Sequence, residues 1–193
     1  MRIVCLGAGP VLNKRTDAWG GSLANRLRFP LEVIAAVRAI WPTNKPLAVR
    51  ISANDWVGSA GVTPDEAVQI ARRLKEAGVD LIDVSAGETA SDGHPVYGRM
   101  FQTPFADQIR NEADIPVIAV GNIVDADQVN GIVTAGRADL VALGRPHLAD
   151  PVWTLRAAAA AGDKSQFVPA PYILGQAQAL QLSRQVHRAM PGR

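Results

Sequence analysis

Hydrophobic and polar residues alternate along PLAVRIS (46–52): Leu47, Val49 and Ile51 fall on one face, Ala48, Arg50 and Ser52 on the other. A period of two is the mark of a strand. The next segment, TPDEAVQIARRLKEAG (63–78), changes to the helical period, with Val68, Ile70, Ala71 and Leu74 on one stripe. Thr63 reads as its N-cap, Pro64 as its first helical residue, Glu66 as the second half of a capping box, and Gly78 as its stop. The exchange of periods then repeats. DLIDVSAG (80–87), IPVIAVGN (115–122) and ADLVALGR (138–145) read as strands. TPFADQIRNEA (103–113), DADQVNGIVTAG (125–136) and DPVWTLRAAAAAG (150–162) read as helices, the last with Asp150 as N-cap and Pro151 behind it. An earlier helix is expected over about 22–40, where Leu27, Leu31, Ile34 and Val37 share a stripe and Pro30 either kinks it or marks its start. One more amphipathic helix is expected in GQAQALQLSRQVHRAM, after the Pro-rich FVPAPYILG.

Strand and helix thus follow each other four times, behind a short apolar strand from Ile3 to Leu6. Short connections and nearly continuous apolar strands predict an α/β fold with a parallel sheet. Two architectures satisfy that pattern: a doubly wound sheet and part of an eight-stranded barrel. A whole barrel takes about 250 residues. With 193 residues and about five parallel strands, the barrel alternative is a half TIM barrel.

Composition removes several function classes. The chain is 48% hydrophobic and 20% charged, an ordinary globular balance. A net charge of +2, from 20 Lys and Arg scattered among 18 acids, gives no electrostatic footprint for nucleic acid. Cys5 is the single cysteine, and His94, His147 and His187 are far apart, so no metal site is expected. No apolar run reaches the roughly 18 residues of a membrane span. The first run is too short for a signal peptide, which leaves a cytoplasmic location as the default.

In parallel α/β folds ligands gather at the carboxyl ends of the strands. Those ends deliver Arg50 and Ser52, then Ser85, Ala86 and Gly87, then Gly121 and Asn122, and finally Gly144 and Arg145. Glycines at two adjacent strand ends, one followed by an arginine, suit a phosphate nest. They equally suit tight turns. Arg50, on the small-residue face of its strand, calls for an anionic ligand or for a salt bridge, with Asp83 on the next strand as the candidate. The long loop GETASDGHPVYGRMFQ carries His94, Tyr97 and Arg99 over one strand end. No Ser-His-Asp or Cys-His arrangement is visible, and no catalytic residue can be named.

The segment NKRTDAWGGSLANRLRFPLEVIAAVR resembles the Old Yellow Enzyme family of FMN-dependent NAD(P)H oxidoreductases. VRIS, GVDLIDVSAG, IPVIAVGNI and GRADLVALGRPHLADP follow in the family's order, so the resemblance covers about residues 11–160. It implies the second half of an FMN-holding barrel, with NAD(P)H as reductant and a small molecule as acceptor. It places Arg50 at the flavin's N1 and C2-carbonyl edge, Ser85 and Gly87 near the cofactor, and Gly121, Asn122, Gly144 and Arg145 at the FMN phosphate. The family's substrate-anchoring His pair (or His-Asn) and proton-donating Tyr belong to the first half of the barrel, and nothing in this chain matches them.

The opening MRIVCLGAGP begins like a dinucleotide fold, but Leu12 stands where a third glycine belongs, and no helix follows. It resembles the first strand of the FAD module in fused hydroxylases of the salicylyl-CoA and aminobenzoyl-CoA type. The expected layout is an isolated strand over 1–10, a half-barrel over 11–163 and a tail over 164–193, the outcome of an internal shortening. Open sheet edges and an apolar inner face lead us to expect a homodimer or a partner chain that completes the barrel. The alternatives are a catalytically incomplete fragment of a fused aromatic-CoA hydroxylase, acting only as a folded or interaction module, and a barrel that binds a phosphorylated metabolite.

Overall fold

Five strands pair in chain order and all run parallel: β1 (Arg2–Cys5), β2 (Leu47–Ser52), β3 (Leu81–Ser85), β4 (Val117–Ala119) and β5 (Leu140–Val141). The computed structural model describes residues 2–5 and 8–189. Helices α1 (Leu23–Ile40), α2 (Pro64–Glu76), α3 (Thr103–Ala113) and α4 (Ala126–Thr134) lie between successive strands. The second unit of the chain holds α5 (Arg145–Ala149), α6 (Trp153–Ala160) and α7 (Ile173–Ala189). The division between the two units falls at Ala142 and Leu143.

The period-two reading of β2 holds. Leu47, Val49 and Ile51 are buried on the face shared with Ile82, Val84, Val117 and Ala119, the same layer as Ile70 and Leu74 of α2 and Ile109 of α3. Each fully buried side chain of this size contributes about 1.5–3 kcal/mol relative to exposure. The opposite face holds a smaller cluster of Ala48, Leu81 and Ile118 with Ala142 beside it. Register places Arg50 next to Asp83 and Ser52 next to Ser85 on that second face. β1 pairs with β2 as an outer strand of the sheet; Leu6, the expected end of this strand, lies outside the described residues.

One alternative is decided and three details differ from the sequence reading. Pro30 lies buried inside α1, whose N-cap is Ser22, so it does not mark the helix start. Thr63 caps α2 by accepting the Glu66 N–H at 3.3 Å. The Glu66 carboxylate does not return to close a capping box; it pairs with Arg26, a buried guanidinium that needs a counter-ion. The strand expected over 138–145 stops at Val141, and Arg145–Ala149 is helical instead, with Pro146 in its first turn. Asp150 then makes a turn: its Oδ1 accepts the Val152 N–H at 3.2 Å and its C=O the Trp153 N–H at 3.0 Å, so α6 starts beyond Pro151.

In the second unit α6 packs on α7, and Ser183 Oγ donates to the Ala160 carbonyl at 2.9 Å. Among the described residues no helix is long and apolar enough to cross a membrane.

Candidate active-site cleft

The chain emerging from β2 turns sharply through SANDWVGSAG. Asp55 controls that turn. Its side chain is 1% exposed, accepting Ser52 Oγ–H at 3.0 Å and the Val62 N–H at 2.8 Å. Trp56 follows at φ +60, a conformation that bulky residues rarely hold, and its ring meets Phe105 edge-on at 5.6 Å. These constraints leave a cleft of about 290 Å³ at the carboxyl ends of β2 and β3. Its polar wall comes from Arg50, Ser52, Asp55, Ser85 and Thr89, with Gly9 and Gly87 as backbone. Its apolar wall comes from Leu12, Leu27, Pro30, Ile70 and Leu74. The volume is at the lower end of small-molecule sites, about 300–1,000 Å³, so the cleft receives part of a large ligand rather than enclosing it.

Arg26 ties the amino-terminal segment to this cleft. It donates to the carbonyls of Ala8 at 2.8 Å and Gly21 at 2.6 Å, and its third partner is Glu66 of α2. One buried guanidinium thereby joins the segment before α1 to the start of α2.

Arg50 has both features that the sequence left as alternatives. It lines the cleft, and it bonds Asp83 through Nε at 3.0 Å and Nη2 at 2.7 Å, both to Oδ2. Its side chain stays 38% exposed while Asp83 is 1% exposed. Ser85 is also committed, donating to the Ile51 carbonyl at 3.1 Å. Gly87, at φ +92, sits where a Cβ would touch Pro95 and the Trp56 ring at 3.4 Å.

The turn after β4 is built differently. Gly121 takes φ +111 and Asn122 φ +52. A Cβ on Gly121 would lie 2.7 Å from Gln102 Cδ, so only glycine passes here. Gln102 is buried and donates to the Ala86 carbonyl at 3.0 Å, linking the β3 exit to the β4 exit. Asn122 spends its amide on the Gly98 carbonyl at 2.9 Å, and its own carbonyl accepts the Met100 N–H at 3.2 Å. Among the described residues neither the Gly121 nor the Asn122 N–H has a hydrogen-bond partner. What this turn offers a ligand is backbone N–H groups.

Gly144 precedes α5 and Arg145 opens it, exposed, in the second unit. His94, Tyr97 and Arg99 are exposed and do not line the cleft; Tyr97 rests edge-on against Phe101 at 5.2 Å. His147 meets Thr154 Oγ at 3.2 Å and the Trp153 ring at 6.0 Å. Sequence reasoning passed over Asp55 and Gln102. An Asn-Asp pair after a strand is a turn signal that points to Asp55. No local pattern marks Gln102, whose role depends on a contact with Gly121.

Comparison with known proteins decides the family. The model of the NADH:flavin oxidoreductase / NADH oxidase family matches residues 8–163. The chain belongs to this family. Its relatives include an NADPH dehydrogenase of Clostridium acetobutylicum, 42% identical over 84% of this chain and 47% of that protein. Another is an NADPH dehydrogenase of Geobacillus sp., 48% identical over 77% of this chain and 43% of that one. An NADH oxidase of Thermoanaerobacter brockii is 39% identical over 77% of this chain and 23% of its own length. The chain therefore spans less than half the length of these relatives. Among solved structures, a 2-naphthoyl-CoA reductase complex superposes with a TM-score of 0.68 at 28% identity, over 77% of this chain and 24% of that one. Histamine dehydrogenase from Rhizobium sp. superposes with a TM-score of 0.65 at 25% identity, over 79% of this chain and 24% of that one. This family member is a parallel α/β fold of the partial-barrel kind. The names of these relatives give no support to the fused aromatic-CoA hydroxylase.

Proposed function

We propose that this chain is the FMN-holding portion of an NAD(P)H-dependent flavin oxidoreductase. One observation carries the reading: the cleft at the strand ends combines a half-exposed guanidinium, Arg50, with an apolar wall, the pairing that a flat ring with one polar edge requires. The donor set fits the rest of FMN as well. The free N–H groups of the Gly121–Asn122 turn suit an anion; Arg145 of the second unit carries, on its own, the guanidinium fork that suits phosphate.

When bound, FMN accepts hydride from NAD(P)H and passes it to an acceptor. The residues of this chain bind and orient it. Arg50 holds the polar ring edge and favours its more negative, reduced form. Ser85 and Gly87, which line the cleft, would contact the cofactor. The family resemblance assigns the phosphate to Gly121 and Asn122 and, residue by residue in the second unit, to Gly144 and Arg145. Among the described residues β1 and β5 are the outer strands of the sheet. The residues that anchor and protonate the acceptor would come from the rest of the barrel, and a second copy or a partner chain that completes it is part of this reading.

The test is an FMN titration of the purified chain, followed by desalting and a visible spectrum. Retained flavin that is lost in Arg145→Ala supports the reading. No retained flavin refutes it for the isolated chain and assigns cofactor binding to the completed barrel.

A further inference from the structure

Asp83 is a buried carboxylate beneath the cleft. It is 1% exposed, and its only side-chain partner among the described residues is Arg50. Both donated bonds, at 3.0 and 2.7 Å, end on Oδ2, while Oδ1 is buried with no hydrogen-bond partner among the described residues. This is a poor way to stabilise a sheet. A buried ion pair gains little over an apolar pair of the same shape, and an orphaned oxygen subtracts from that. The neighbours in register, Ala48, Leu81 and Ile118, show that this face accepts apolar residues readily.

The geometry does something more specific. Gripping the guanidinium by Nε and Nη2 leaves Nη1 as the edge that Asp83 does not occupy, and Arg50 lines the cleft. Asp83 also places a fixed negative charge behind that cation. We infer that Asp83 is a positioning residue with two effects: it selects the edge of Arg50 presented to a bound flavin, and it offsets part of the positive charge that the flavin meets. A bare arginine would favour the more negative, reduced ring strongly. The buried carboxylate weakens that preference, so the ring can be reoxidised by an acceptor. The inference rests on the reading that Arg50 meets FMN.

The test is the affinity of the chain for oxidised and for reduced FMN, measured anaerobically by fluorescence and absorbance, in the parent, Asp83→Asn and the double variant R50Q/D83N. Asn keeps the shape and an acceptor for Arg50 while removing the charge. The expected result is that Asp83→Asn raises the preference for reduced over oxidised FMN by about tenfold. For a two-electron couple that is about 30 mV in the midpoint potential of the bound flavin. The double variant lowers the preference below that of the parent. If Asp83→Asn weakens both forms equally or changes neither, while the double variant still lowers the preference, Asp83 is merely structural and the inference is overturned. If the double variant keeps the parent's preference, Arg50 does not meet the flavin, and the reading beneath the inference fails with it; if the parent binds neither form, that reading fails for the isolated chain and the inference falls with it. Should Asp83→Asn not fold, R50Q is compared with R50Q/D83N. Removing the carboxylate then raises the preference for reduced FMN, and equal preferences overturn the inference.

Discussion

The two ends of the sheet are built on opposite principles. At the amino-terminal end of the strands, polar groups close on one another. Asp139, just before β5, accepts the Val117 N–H at 2.9 Å and takes Arg110 of α3 in a fork, while Arg110 also donates to the Gly136 carbonyl at 2.9 Å. The same device appears two repeats earlier. Asp80, just before β3, accepts the Leu47 N–H at 2.7 Å and pairs with Arg38 of α1, which donates to the Gly78 carbonyl at 2.6 Å. In each case an arginine from one helix joins the end of the next helix to the start of two strands. The carboxyl-terminal end is left unsaturated. Of the five non-glycine residues at positive φ among the described residues, Trp56, Glu88, Met100 and Asn122 lie in loops at this end and only Asp114 at the other. Buried atoms without partners, Trp56 Nε1, Gln102 Oε1 and Thr103 Oγ1, collect here as well. Strain and unmet hydrogen bonds concentrate where a ligand is to be received. The lower end carries the stability that tolerates them.

If this division of labour is right, substitutions at the two ends separate binding from stability. The largest effect is expected from Gly121→Val. The new side chain meets Gln102 at distances under 3 Å and must adopt φ +111, so both the turn and its anion nest are lost. We expect a stability loss of about 2–4 kcal/mol by thermal unfolding, and no measurable FMN retention. Arg145→Ala comes next. It should weaken FMN about 10- to 100-fold, the value of one charge-assisted bond, and move the unfolding midpoint very little because the side chain is exposed. An unchanged FMN affinity in Arg145→Ala would remove this residue from the site. Asp139→Asn should do the reverse, costing about 1 kcal/mol in urea unfolding and leaving FMN affinity alone.

The same contrast explains what the sequence could and could not disclose. The lower end is regular, and its helices and strands follow from period and punctuation. Val68, Ile70 and Leu74 were legible as the core of α2, and Thr63 as its cap. The upper end depends on contacts between loops far apart in sequence. Arg50 was legible as a strand-end cation, but its hold on Asp83 and its place in the cleft could not be ranked, because both are satisfied at once. Gln102 gave no signal, since its importance comes from the space that Gly121 vacates. The end of β5 was misjudged for a local reason. LGRPHLADP carries two prolines, and Pro146 starts a helix five residues before Pro151 was expected to.

Acid provides the finest test of the lower end. Burial, the largest single influence on Asp139, pushes its carboxyl up. The hydrogen bonds from Arg110 and from the Val117 N–H, together with the charge of Arg110, outweigh burial and hold it below its ordinary value. A carboxylate depressed in the folded state contributes stability above its unfolded pKa, about 3.9. That contribution is lost as the pH falls through the lower folded value. The parent chain should therefore lose stability more steeply than Asp139→Asn below about pH 4, and the gap between their urea midpoints should narrow towards zero there. The pair is one-third exposed on each side, so solvent screening keeps the effect small, and 1 M salt should shrink it further. A gap that stayed constant from pH 7 to pH 3 would mean that Asp139 acts by shape alone, and the electrostatic closure of this end would have to be assigned to Asp80 and Arg38 instead.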